Sequence, residues 1–171
     1  NINIKTDEKL DTSVNISGSD LKANENIDII TKDLNVKASQ DTYQTQSQTK
    51  DISGSVSMSM YGGPSASMGY GEQSSKSERS INKNTQIQAN NININSTDTT
   101  TIEGSNLNAS NDIAIKANTV DILSVQDEHY KQTKTSSKGF LSSKSTTTTD
   151  YTLKNKGSSL NSNNLIPILN L

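Results

Sequence analysis

The chain has 171 residues, a formal net charge of −2 and 29% hydrophobic residues, with no cysteine, no tryptophan and a single phenylalanine. That excludes a disulfide framework and a thiolate metal site, leaves no basic stripe for a nucleic-acid partner, and supplies no apolar run of the ~18 residues that a membrane-spanning helix needs. The polar bulk is Ser, Thr, Asn and Gln rather than charge, so the high net charge that marks disorder is missing; such a chain fills a thin core if its few apolar residues all point one way.

The opening residues, NINIKTDEK, alternate apolar and polar, the pattern of a strand with two unlike faces. They hold neither an initiator Met nor the apolar h-region of a signal peptide, and are read as the start of a piece of a longer protein. An internal repeat follows. GSDLKANENIDIITKDLNVKASQD, from Gly18, matches GSNLNASNDIAIKANTVDILSVQD, from Gly104, with eight of 24 positions identical at an offset of 86. The pairs Leu21/Leu107, Ala23/Ala109, Ile27/Ile113 and Ile29/Ile115 keep the apolar positions, and Leu34/Val120 and Val36/Ile122 keep them conservatively. Each copy reads apolar-x-apolar, a short polar gap, then apolar-x-apolar. Residues two apart share one face of a strand, and Asn, Asp and Lys in the gaps suit turns.

Strands this short do not stand alone, but they stack on copies of themselves as a β-helix with a narrow interior. The expected rungs are NIDI, LNV, NININ, DIAI and VDI. Their expected core is Leu21, Ala23, Ile27, Ile29, Leu34, Val36, Ile92, Ile94, Ile102, Leu107, Ala109, Ile113, Ile115, Val120 and Ile122. Asn-rich turns are expected to stack as amide ladders along the axis. A β-sandwich is the alternative; its strands run longer than two apolar positions.

SVSMSMYGGPSASMGYG, residues 55–71, alternates, breaks at Gly62-Gly63-Pro64 and alternates again, which predicts a hairpin. A five-residue loop, 61–65, places Met60 opposite Ala66, Met58 opposite Met68 and Val56 opposite Tyr70. One long arm over about 42–84 is expected to leave the solenoid after Gln40-Asp41, and a shorter one over about 128–153 after Gln126-Asp127. The candidate contact hairpin comprises Val56, Met58, Met60, Tyr61, Ala66, Met68 and Tyr70. Its apolar face needs a partner, either the solenoid flank or a sheet edge, or else a membrane or another molecule.

No chemistry stands out. His129, in QDEHY, is flanked by Asp127 and Glu128, but neighbouring strand residues alternate faces and do not converge on one ion. Asp112 and Asp121, and likewise Asp28 and Asp33, resemble the carboxylate pair of a polysaccharide hydrolase but lack an aromatic platform. No cofactor is expected and no residue is assigned to catalysis. The tail NNLIPILNL, 163–171, reads as a further rung or as a cap over exposed strand edges.

The combination GSxLxAxxDIxIxA, xVxI, QDxxY and a Ser/Thr/Gln/Lys tract resembles the haemagglutinin repeats of filamentous-haemagglutinin-type exoproteins. Residues 104–140 carry the resemblance best and 18–54 carry it again. The resemblance implies a single right-handed parallel β-helix fragment over 1–171 with protruding antiparallel β-hairpin arms, all-β throughout. It implies a large two-partner-secretion protein of a Gram-negative bacterium, exported through an outer-membrane transporter and displayed at the cell surface. The partner would be a host or target-cell surface: a protein receptor, a glycan or the outer membrane. The implied work is structural and adhesive; the alternatives are a docking module for toxin translocation in contact-dependent growth inhibition, and a β-helical polysaccharide-degrading enzyme.

Overall fold

The computed structural model describes residues 1–7, 11–165 and 169–170, and is all-β, with no helix among the described residues. In chain order the strands are β1 (Ile2–Lys5), β2 (Ser13–Ser17), β3 (Asp20–Lys22), β4 (Asn26–Thr31), β5 (Asp33–Lys37), β6 (Ser39–Ser57), β7 (Ser65–Lys83) and β8 (Thr85–Ser96). They continue as β9 (Thr99–Glu103), β10 (Ser105–Ala117), β11 (Thr119–Leu123), β12 (Val125–Lys138), β13 (Ser143–Lys156), β14 (Ser159–Asn161), β15 (Asn164–Leu165) and β16 (Leu169–Asn170). They form two compact units, one of Asn1–Asp41, Ile81–Asp127 and Lys154–Leu171, the other of Thr42–Ser80 and Glu128–Leu153.

The first unit holds two parallel sheets. In the first sheet β1, β4, β8, β10 and β14 lie in that order, with β3 also on β8 and β15 and β16 also on β10. The second runs β2-β5-β9-β11. The chain passes from one sheet to the other and back, and parallel pairing sets like residues over like. Ile2, Ile27, Ile92 and Ile113 form one column, and Ile4, Ile29, Ile94 and Ile115 the next. Leu21, Ile87, Leu107 and Leu160 form a third. In the second sheet Ile16, Val36, Ile102 and Ile122 align, as do Val14, Leu34, Thr100 and Val120. The side chains of both sheets meet in one narrow core. Burying each Ile or Leu contributes roughly 1.5–3 kcal/mol.

Outside the core the polar residues stack too. Asn91 donates to Asn26 at 2.8 Å, Asn93 to Asp28 at 2.8 Å, Asn35 to Asn15 at 3.0 Å and Asn161 to Asn108 at 2.8 Å. These ladders stand on the strands, not in the turns where the sequence placed them, because the residue between two core positions points outward directly over its counterpart. Polar residues that do face inward are satisfied locally. The Ser96 and Thr100 hydroxyls share a hydrogen bond of 2.7 Å, and the Thr85 hydroxyl donates to the Lys37 carbonyl at 2.6 Å.

One corner decides the course of the chain. Successive strands of the second sheet end at Ser17, Lys37, Glu103 and Leu123. After Ser17 and Glu103 come Gly18 and Gly104, both left-handed (φ +56° and +54°), and the chain turns straight into the first sheet. After Lys37 and Leu123 come Ala38 and Ser124, and the chain instead enters the long strands β6 and β12. A left-handed backbone is open to glycine and costs other residues roughly 1–2 kcal/mol, so the glycine marks the corners that stay within the two parallel sheets.

The second unit is built on a four-stranded sheet in the order β13-β12-β7-β6. Its central pair, β12 and β7, is antiparallel, with Glu128 facing Ser80 and Lys138 facing Tyr70. In the tail, β15 and β16 pair in parallel with β10; Pro167 lies outside the described residues.

Candidate contact surface

The strands β6 and β7 join through residues 58–64, which belong to no strand. The Ser55 and Ser67 hydroxyls meet at 2.6 Å, as do those of Ser57 and Ser65. This moves the pairing by two residues per arm from the sequence reading: Val56 stands opposite Ala66 rather than Tyr70, Gly54 rather than Met58 faces Met68, and Met60 lies in the loop instead of facing Ala66. The cause is local. The Gly62 amide donates to the Ser59 hydroxyl at 2.8 Å, a side-chain turn that closes the loop early and takes Met58 to Pro64 out of the ladder.

One face of this ribbon is hydroxyl and glycine: Ser53, Ser55 and Ser57 against Gly69, Ser67 and Ser65. The other face carries Ile52, Val56, Ala66, Met68 and Tyr70, with Met58, Met60 and Tyr61 in the loop. Val56 is 79% exposed, Met68 74%, and Met58, Met60 and Tyr61 are more exposed still; Ala66 is exposed and Tyr70 half-buried. Among the described residues, Val56, Ala66 and Met68 are left exposed on this apolar face. The shorter β12–β13 hairpin turns with the Gly139 amide donating to the Ser142 carbonyl at 2.8 Å, and its loop presents Phe140 and Leu141, each 93% exposed. Both loops thus end in large apolar side chains.

In the first unit, the residues next to both hairpins are locked by a polar clasp. The Asp127 carboxylate accepts the Asn82 backbone amide at 2.7 Å and its side-chain amide at 3.1 Å, and Asn82 also donates to the Gln126 carbonyl at 2.6 Å. Lys156 lies 3.2 Å from Asp127 and donates to the Asn82 carbonyl. Burial works to raise the Asp127 carboxyl, but the Asn82 amides and the Lys156 ammonium outweigh it and hold it below the ordinary aspartate range.

The candidate core residues come to rest as follows. Ile27, Ile29, Leu34, Val36, Ile92, Ile94, Ile102, Leu107, Ile113 and Ile115 are buried, and Leu21, Ala23, Ala109 and Val120 are partly buried against them. Ile122 is a correction: it is 46% exposed, because β11 ends its sheet and pairs on one side only, with β9. Sequence reasoning passed over Ile16, Ile87, Ala89 and Ala117, all buried. Ile87-x-Ala89 repeats the Leu21-x-Ala23 and Leu107-x-Ala109 spacing, and that signal was available.

Three of the carboxylates weighed for chemistry, Asp28, Asp33 and Asp127, hold neighbouring amides. Asp28 accepts from Asn93, and Asp33 accepts the Thr99 amide at 3.1 Å. His129 faces Arg79 across the strand pair. Among the described residues no three ligand-bearing side chains converge on a metal position.

The hemagglutinin repeat family model matches residues 1–139. The chain belongs to the hemagglutinin repeat family. That family is structural and adhesin-like rather than enzymatic. Searches of the curated proteins and of the solved structures return no match for this hemagglutinin repeat chain.

Proposed function

We propose that this chain is a structural and adhesive segment of a large secreted exoprotein displayed on a Gram-negative cell, exported through an outer-membrane transporter. In this reading the two parallel sheets are successive faces of a right-handed β-helix. The copies at 18–54 and 104–140 are its repeats, and the excursions 42–84 and 128–153 are arms that meet a target surface.

The columns of stacked Ile, Leu and Val support the helical part. The observation that carries the contact role is the concentration of Met58, Met60, Tyr61, Phe140 and Leu141 in two loops, almost fully exposed. Clustered exposed apolar side chains mark interaction sites, whereas singly scattered ones do not.

The test is retention of the chain, coupled to beads, on outer-membrane vesicles from Gram-negative cells. The control replaces Met58, Met60, Tyr61, Phe140 and Leu141 with Ser, changes confined to the loops. The expected loss is at least about tenfold, since burying even one such side chain contributes ~1.5 kcal/mol or more. Equal retention of the two proteins refutes the contact role. Protein-free liposomes in parallel separate a receptor from lipid, and retention on lipid alone supports the docking form used in toxin translocation.

A further inference from the structure

Among the described residues no further strand pairs with the two edges of the antiparallel sheet, β6 and β13. An open edge is a template for another strand, and here the neighbour it fits is written in the sheet itself. β7, the second strand of the first hairpin, already pairs with β12, the first strand of the second hairpin, over eleven residue pairs from Glu128–Ser80 to Lys138–Tyr70. β13 is the counterpart of β7, and β6 the counterpart of β12. We propose that β13 of one copy of this chain pairs with β6 of a second copy, antiparallel, in the register that β7 and β12 already use.

The repeat fixes that register. Gln126-Asp127 corresponds to Gln40-Asp41 at the offset of 86, and Asn82-Lys83 corresponds to Asn155-Lys156 at an offset of 73. Carrying the Glu128–Ser80 pair across sets Thr42 opposite Leu153 of the neighbour, and the Thr133–Ser75 pair becomes Ser47 opposite Thr148. All of β13, Ser143–Lys156, then lies along Ser39–Ile52 of β6.

Charge supports this register and opposes its neighbour. Lys144 falls opposite Asp51, and Lys154 opposite Asp41. A slip of one residue places Lys144 against Lys50 instead. Opposite charges across a strand pair stabilise it and like charges destabilise it. All four residues are exposed, and none makes a side-chain hydrogen bond or ion pair among the described residues. The clasp recurs as well: Asn82 bonds Asp127, and their counterparts Asn155 and Asp41 are brought together by the same pairing.

A contact between unlike edges leaves one edge free on each copy and so adds further copies until a ring closes or a filament forms. This inference goes beyond the proposed function and does not depend on what the loops touch.

The chain has no cysteine, so engineered thiols report cleanly. Thr148→Cys protein mixed with Ser47→Cys protein under mild oxidation is expected to give a disulfide-linked pair. Thr147→Cys with Ser47→Cys is expected to give at least about fivefold less, because one step along a strand turns the side chain to the other face. Both thiols in one chain do not close internally, since β6 and β13 lie three strand spacings, about 14 Å, apart. Equal yields from the two mixtures, or none above that of Thr97→Cys, an exposed position in the first unit away from both edges, overturn the proposal. A second readout is sedimentation: Asp51→Lys is expected to weaken self-association about two- to fivefold, with Lys144→Asp in the same chain restoring it. Failure of that rescue also overturns it.

Discussion

Gly104→Ala tests the corner that separates a direct turn from a hairpin. Gly104 has φ +54°, and a Cβ there would stand 2.6 Å from Val125 Cγ2 and 3.1 Å from the Ala38 Cβ. Two costs follow: the left-handed backbone, roughly 1–2 kcal/mol for a residue with a Cβ, and overpacking against two neighbours, typically 1–3 kcal/mol. The alanine chain loses less entropy on folding, which returns about 0.4–1 kcal/mol. The net expectation is a loss of about 2–4 kcal/mol. At a urea m-value of about 2 kcal/mol/M that moves the unfolding midpoint down by about 1–2 M. Gly63→Ala is the control: nothing lies within 4 Å of its Cβ position and its φ is not positive, so only the entropy gain acts and its midpoint rises by about 0.2–0.5 M. Val125→Ala in the Gly104→Ala background is expected to recover the overpacking share, about 1 kcal/mol, and leave the backbone share untouched. A Gly104→Ala midpoint within about 0.3 M of the parent would refute the claim that this corner needs glycine.

Other consequences follow from residues already placed. Ile92, fully buried in the middle of its column, loses about 2–5 kcal/mol on truncation to Ala, whereas Ile122→Ala at the exposed end of its sheet costs under about 1 kcal/mol; urea titration distinguishes them. Asp127→Ala strands the Asn82 amide and the Lys156 ammonium, and is expected to cost about 1–3 kcal/mol. The Asp127 carboxyl lies below its ordinary value of 3.8 in the folded chain, so its contribution is complete above that pH and drains away as pH falls through the lower, folded value. Asp127→Asn keeps an acceptor but not the charge, and its stability below pH 4 is expected to fall less steeply than that of the parent, measured as urea midpoints from pH 6 to pH 2.5. Ser105→Ala removes the one hydroxyl proton that lies between the Val36 and Glu103 carbonyls, at 3.1 and 2.9 Å, and an expected loss of about 1–2 kcal/mol is read the same way.

Spacing carried much of this into the sequence. Pairs such as Ile27-x-Ile29 and Ile113-x-Ile115 are visible because a narrow core admits two inward residues per pass and little else, so the apolar pattern and the strand pattern coincide. What was not legible depends on neighbours distant in the chain. Ile122 has the same local pattern as Val36, yet exposure follows from which strand ends the sheet, a property of stacking order. The hairpin register turned on one hydroxyl: alternation constrains which face a residue occupies but is blind to a slip of two per arm, and Ser59 closing on Gly62 chose between registers that keep every face the same. The exposed loop residues were readable as apolar and near turns; that nothing covers them was not. The Asn82–Asp127–Lys156 clasp joins residues 29 to 74 positions apart, and its clearest hint was the recurring Gln-Asp at the start of each excursion.

The β7–β12 pairing stops at Tyr70 and Lys138, while β7 begins at Ser65. The last stretch of the longer hairpin is therefore a two-stranded ribbon with support on neither side, and isolated ribbons of that kind are only marginally stable in water. Fraying there breaks the ribbon's own backbone ladder and the Ser55–Ser67 and Ser57–Ser65 hydroxyl pairs, and none of the β7–β12 bonds further down. The outermost few residues are the softest part of that hairpin, and they are the ones that carry its exposed methionines.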